Sequence, residues 1–155
     1  MNRIIIILAF FLLFSCGFEP IHSKKNPTNN YNFTIASIGF SGENKINQNL
    51  KNNLKNYIGD ETKPIKYDLI INSNIKKTIT SKNKKGNPEI FNTKVIINID
   101  ILENDELITK TIFKESFEYK NKASKFELKQ YEANIQNNLA SKISSAIIKY
   151  LYSVK

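Results

Sequence analysis

The chain of 155 residues has one cysteine, one histidine, one methionine, no tryptophan and a single arginine, Arg3. A disulfide framework needs a second cysteine, and a structural zinc site needs about four Cys or His ligands at recognisable spacing; neither can be built here. The only imidazole, His22, sits six positions from Cys16 across a proline-containing stretch, so a Cys/His or Ser/His catalytic pair lacks its parts. Gly39-Phe40-Ser41-Gly42 is one residue short of a nucleophile elbow and has no evident His/acid partner set. The residues therefore point away from an enzyme, with no catalytic residue, no metal site and no cofactor. Five glycines and four prolines exclude collagen-like or linker-dominated chains, and 41% hydrophobic residues exclude a disordered tail.

What is present begins at the amino terminus. Arg3 precedes an unbroken apolar run from Ile4 to Phe14, about 17 Å long as a helix, roughly half of a bilayer core of about 30 Å. A positive start, a short apolar stretch and a small residue at the end have the form of a secretory signal peptide. Leu13-Phe14-Ser15-Cys16 resembles the lipobox of bacterial lipoproteins. By that resemblance the signal, residues 1–15, is cut before Cys16, and Cys16 is acylated on its thiol and its new amino group. Several acyl chains at about 0.8 kcal/mol per buried CH₂ anchor a protein durably, where one myristoyl group is marginal. Gly17, in place of the Asp common in lipoproteins retained at the inner membrane, points to the cell outer membrane.

Residues 16–30, with Pro20 and Pro27 and no sustained period, read as the acylated terminus and a tether, and His22 as a solvated residue within it. Residues 31–155 read as one domain. Tyr31 to Phe40 alternates through Phe33 and Ile35, then changes phase to Ile38 and Phe40, predicting a strand with a bulge near Ala36 or Ser37. Ile46, Leu50, Leu54 and Ile58 recur every four residues, predicting a helix over 44–58 closed by Gly59. Three alternating runs follow: Tyr67, Leu69, Ile71 and Ile75; Phe91, Val95, Ile97, Ile99 and Ile101; Leu107, Phe113, Phe117 and Tyr119. They predict strands of about ten to fourteen residues joined by turns at 82–88 and 103–106, an antiparallel meander. Ser124 and Glu127 form a capping-box signature. The stripe Leu128, Tyr131, Ile135, Leu139, Ile143, Ile147 and Leu151 then predicts a helix of about 40 Å. The expected fold class is α+β: a two-layer sandwich with two helices packed on one face of a four-stranded, mainly antiparallel sheet.

Taken together, Cys16-Gly17-Phe18 with Pro20 and Ile21, the helix segment from Ile46 to Leu54, the C-terminal helix from Ser124 to Leu151 and the α/β/β/β/α order resemble the LPS-assembly lipoprotein LptE family. The resemblance implies a lipoprotein subunit that plugs the outer-membrane β-barrel LPS translocon, helps it assemble and assists insertion of lipopolysaccharide into the outer leaflet. Its partners would be that barrel, lipopolysaccharide and the membrane through Cys16, with no nucleic acid. Another outer-membrane complex, for barrel assembly or efflux, is the alternative.

The formal charge is +9. Cleavage before Cys16 removes only Arg3, leaving 22 lysines against 14 acids, a net charge of +8. Lys82, Lys84 and Lys85 in one turn and Lys120, Lys122 and Lys125 after the fourth strand fall at the same end of a meander, where they are candidates for binding lipopolysaccharide phosphates. Ordinary solvated loop lysines are the competing reading, and an even enrichment in Asn, Lys and Ile points to composition as one source of the charge. Ile70, Ile96, Ile108 and Ile112 fall out of phase with the core set and are candidates for a partner surface on the other face of the sheet; scattered exposed apolar residues would look the same.

Cys16→Ala is expected to abolish incorporation of labelled fatty acid and to release the chain from membranes; retained labelling refutes the lipoprotein reading.

Overall fold

The computed structural model describes residues 31–154. The signal segment, Cys16, His22 and the tether lie outside the described residues. The elements are β1 (Phe33–Gly42), α1 (Asn44–Leu54) with a 3-10 turn Lys55–Tyr57, β2 (Ile65–Lys82), β3 (Pro88–Glu103), β4 (Glu106–Lys120) and α2 (Lys125–Ser153). The four strands form one sheet in the order β1-β2-β3-β4. Both helices pack on one face, as the pattern predicts.

Period two explains the sheet. On the helix side, Tyr67, Leu69 and Ile71 of β2 lie beside Val95, Ile97, Ile99 and Ile101 of β3, all at most 2% exposed. Ile46, Leu50 and Leu54 of α1 and Ile135, Leu139, Ile143, Ile147 and Leu151 of α2 close over them as one core. Replacing one of these buried leucines by alanine typically costs about 2–5 kcal/mol. Ser124 caps α2, its hydroxyl accepting the backbone N–H of Glu127 at 3.3 Å.

The mainly antiparallel sheet contains one parallel pair, its bulge is where the sequence places it, and three details depart from expectation. β1 pairs with β2 in parallel, so the sheet is mixed, with α1 as the crossover. The register slips between Ile35 and Ser37, where the bulge was expected. The first helix stops at Leu54, not Ile58. Ile58 instead bridges Ile35, and the Gly59 N–H donates to the Ile35 carbonyl at 3.1 Å, so the expected terminator serves the sheet edge. The last three strands run to 18, 16 and 15 residues, longer than their apolar runs, because the ladder continues through Lys, Thr and Asn toward the turns. Finally, Leu107 is 51% exposed, outside the core set. Ile101 pairs with Thr109 but Leu102 pairs with Leu107, so Ile108 is an extra residue that turns Leu107 away from the helices.

Polar contacts fix the α1 crossover. The Ser73 hydroxyl donates to Asn47 Oδ1 at 2.7 Å and accepts the Glu43 N–H at 2.9 Å, while Asn47 Nδ2 donates to the Ser41 carbonyl at 3.1 Å. Gly42 makes this closeness possible. Its φ is +88°, and a Cβ there would lie 1.9 Å from the Ser73 carbonyl oxygen.

Gly42→Ala is expected to cost at least about 3 kcal/mol in urea unfolding, since the clash is with backbone that cannot move aside. Gly86→Ala, at φ +81° in open space, is expected to cost only about 1–2 kcal/mol.

Candidate functional site

Strands β2 and β4 both run antiparallel to β3 and so end at the same end of the sheet. Lys82 pairs with Pro88 and Lys120 pairs with Ile90, so the two basic connections flank the start of β3. The β2–β3 turn is built on Asn83: its side-chain carbonyl accepts the N–H groups of Lys85 at 2.9 Å and Asn87 at 3.0 Å. Asn121 ties the second connection to the first, its backbone N–H reaching the Glu89 carbonyl at 2.8 Å and its side chain the Pro88 carbonyl at 2.9 Å.

The six sequence-predicted lysines, Lys82, Lys84, Lys85, Lys120, Lys122 and Lys125, are all exposed at this tip. None of them makes an ion pair among the described residues, although Glu89, Glu118 and Glu127 are nearby in the chain. The Lys122 ammonium lies over the Tyr131 ring, 4.7 Å from its centroid. Beside it is an open cleft of about 640 Å³ lined by Ile90, Glu118, Tyr119, Lys120, Asn121 and Tyr131, among others. Ile90, Asn121 and Tyr131 belong to this tip without having been read from the sequence. Tyr131 fits the apolar stripe of α2 equally well, and only its place in the structure, under Lys122, shows that it also lines the cleft.

A polar strut holds this end of α2 to the sheet. The Tyr119 hydroxyl donates to Glu132 Oε1 at 2.9 Å and, having spent its one proton, accepts from the Thr93 hydroxyl at 3.0 Å. Lys77 pairs with the same Glu132 oxygen and lies over the Phe91 ring. Burial first, and then the Glu132 carboxylate, pushes the Tyr119 pKa up to about 12, partly opposed by the Thr93 hydrogen bond.

The other end of the body is acidic. Glu103, Asp105 and Glu106 surround the β3–β4 turn, where Asn104 and Asp105 take positive φ values of 52° and 64° as a two-residue hairpin turn requires. Phe33 pairs with Ile65 at this same end, so the described chain begins here. At about 3.3 Å per residue, β2 carries the chain about 55 Å from this point to the basic tip.

On the face away from the helices, Ile70, Ile108 and Ile112 are 54%, 40% and 55% exposed, and Ile96, two residues beyond the Ile112 rung toward the tip, is half-buried. Leu107 joins this group through the Ile108 bulge. Ser41, in the near-elbow sequence, accepts from Asn72 Nδ2 at 2.9 Å and donates to the Ile71 carbonyl at 3.3 Å. Its hydroxyl thus stitches β1 to β2. No described helix is long and apolar enough to cross a membrane.

No protein-family model matches this chain, and no curated protein sequence does. Solved structures do. The rare lipoprotein B of Shewanella oneidensis superposes with a TM-score of 0.57 at 10% identity, over 76% of this chain and 94% of that one. A minor lipoprotein of Acinetobacter baumannii gives 0.59 at 12% identity, over 77% and 91%. Lipoprotein B of Nitrosomonas europaea gives 0.51 at 9% identity, over 79% and 86%. The chain has the rare lipoprotein B fold.

The raised Tyr119 pKa sets a pH window. The protonated phenol is the form the fold favours, so its contribution is complete below the unfolded value of about 10 and is lost as pH rises through about 12. Thermal melts of the wild type are expected to fall more steeply between pH 10 and 12 than those of Tyr119→Phe; equal slopes refute the strut's role.

Proposed function

We propose that this protein is a lipid-anchored, non-enzymatic subunit of the outer-membrane translocon for lipopolysaccharide. It plugs and helps assemble the β-barrel partner and assists insertion of the glycolipid into the outer leaflet. The observation that carries the reading is the polarity of the body: the described chain beginning at one end, and six lysines without ion pairs about 55 Å away at the other. The shared fold with lipoproteins of three bacteria and the lipobox-like Leu13-Phe14-Ser15-Cys16 support the anchored part of it.

A body of this shape suits insertion into a wide barrel from the periplasmic side, with the tether at the membrane boundary and the tip reaching inward. The apolar half of the outer face, with Ile70, Leu107, Ile108 and Ile112, is the surface offered to the barrel wall. At the tip, ammonium groups meet phosphates as mobile point charges, without the fork geometry of arginine, so binding is salt-sensitive. Tyr131 and Ile90 supply apolar surface for the sugar and acyl portions. No bond is made or broken in this role.

Purification in mild detergent is expected to recover a stoichiometric β-barrel that itself binds lipopolysaccharide. Charge reversal of Lys82, Lys84 and Lys85 to Glu is expected to weaken lipopolysaccharide binding at least tenfold without loss of the barrel. Recovery of a different barrel favours the adaptor role in barrel assembly or efflux, and unchanged glycolipid binding removes the tip from the mechanism.

A further inference from the structure

The outer face of the sheet is divided. Its half nearest the β3–β4 turn carries Ile70, Leu107, Ile108 and Ile112, with the Asp100–Lys110 ion pair at 2.6 Å among them. Its half toward the tip carries lysine. Lys76 of β2 lies directly opposite Lys94 of β3. Lys94 is opposite Ser116 of β4, and Lys114, two residues before Ser116, is its diagonal neighbour.

Like charges directly opposite one another on adjacent strands destabilise a sheet, and facing Cβ atoms are only about 5 Å apart. Lys76, Lys94 and Lys114 make no ion pair among the described residues. The acid closest in register is Glu118, opposite Asn92 and so diagonal to Lys94. Toward the tip the next outward residues are Thr78, Asn92 and Glu118, and then Ile90 opposite Lys120. The lysine cluster therefore lies on the same face as Lys120, separated from it by one rung that carries Glu118. Ile96, opposite Lys114 and half-buried, lies against it on the apolar side.

We propose that Lys76, Lys94 and Lys114 form a second binding station, for the phosphorylated headgroup of an acylated lipid lying on the outer face of the sheet. This rests on reading the protein as a handler of phosphorylated glycolipid, and it adds a location away from the loops. Lys94 is flanked by Lys76 directly opposite, about 5 Å away at Cβ, and by Lys114 on the diagonal, about 7–8 Å away, and three long side chains converging from these positions match a phosphate monoester carrying nearly two negative charges. The repulsion of Lys76 and Lys94 in the free protein is relieved when the anion binds. Ile96 receives the first methylenes of an acyl chain, which a free phosphate lacks. From this station, Lys120 and the tip lie about four residues further along β3, about 13 Å. A headgroup passing from the face to the tip crosses one rung, Thr78, Asn92 and Glu118, between the two sets of lysines.

The test uses the mature lipidated protein in neutral detergent, with diphosphoryl lipid A titrated in mixed micelles. Combined Lys76→Gln, Lys94→Gln and Lys114→Gln substitution is expected to weaken binding about tenfold and to flatten its salt dependence. The fold is retained, and Lys94→Gln alone is expected to raise the melting temperature by about 2 °C because a like-charge neighbour is gone. Binding by the triple variant within twofold of wild type overturns the station. If in that case the Lys82, Lys84 and Lys85 variant still loses binding, the glycolipid reading survives without it. If wild type itself binds no lipid A, both fail. Inorganic pyrophosphate competing as well as lipid A reduces the cluster to a plain anion site and overturns the assignment to a lipid.

Discussion

One-sided burial of long strands is the constraint on which the rest of the molecule depends. Every second residue from Tyr67 to Ser73 of β2 and from Phe91 to Ile101 of β3 is buried on the helix side, and a shift by one position would bring the whole buried row into water. The register is therefore fixed along strands of 18 and 16 residues. Everything on the opposite face follows without being selected by packing. Lys76 and Lys94 face each other because Ile75 and Val95, their neighbours in the chain, face each other beneath the helices. The strand ends are placed in the same way, so that Lys82 and Lys120, 38 positions apart in sequence, flank one strand start.

Much of this fold is legible in the sequence because period two and period four are strong signals where one face is apolar. The two helices, four strands and the slip near Ala36 can be read from isoleucine and leucine spacing. The parallel pairing of β1 with β2 cannot, because both directions satisfy the same alternation, and the choice depends on α1 lying back across the sheet. Leu107 shows a second kind of blindness. Its position is in phase with Phe113 and Tyr119, and the insertion of Ile108 reverses it without any glycine or proline to mark the bulge. Ile58 shows a third: its spacing from Leu54 is helical, yet the backbone leaves the helix to bridge Ile35 at the sheet edge.

The basic tip was partly legible, since strand order alone brings the two lysine-bearing connections to one end. Its cleft was not. Tyr131 has helical spacing with Ile135 and reads as core, and its second role under Lys122 depends on where the β4–α2 connection crosses. The outer-face cluster is further still from the sequence, because a cross-strand neighbour is defined only by register. Lys76 and Lys94 are 18 positions apart, and nothing local in either segment distinguishes them from solvated lysines.

Lysines are spread over both helices as an evenly Lys-rich composition predicts, but along the outer face of the sheet the charge is graded. Glu103, Asp105 and Glu106 surround the turn at the end where the described chain begins, Asp100 is paired with Lys110 in the middle, and Lys76, Lys94 and Lys114, without ion pairs among the described residues, occupy the far half with Glu118 beyond them. An ordinary exposed lysine contributes little either way, and an exposed ion pair contributes at most about 1 kcal/mol. A directly opposed lysine pair works against the sheet, so its retention has to be balanced elsewhere, by burial on the helix side or by an anion on the open side. Beneath this rung Val95 is fully enclosed and Ile75 partly buried, so burial on the helix side offsets the repulsion in the free protein, and an anion bound on the open side offsets it further.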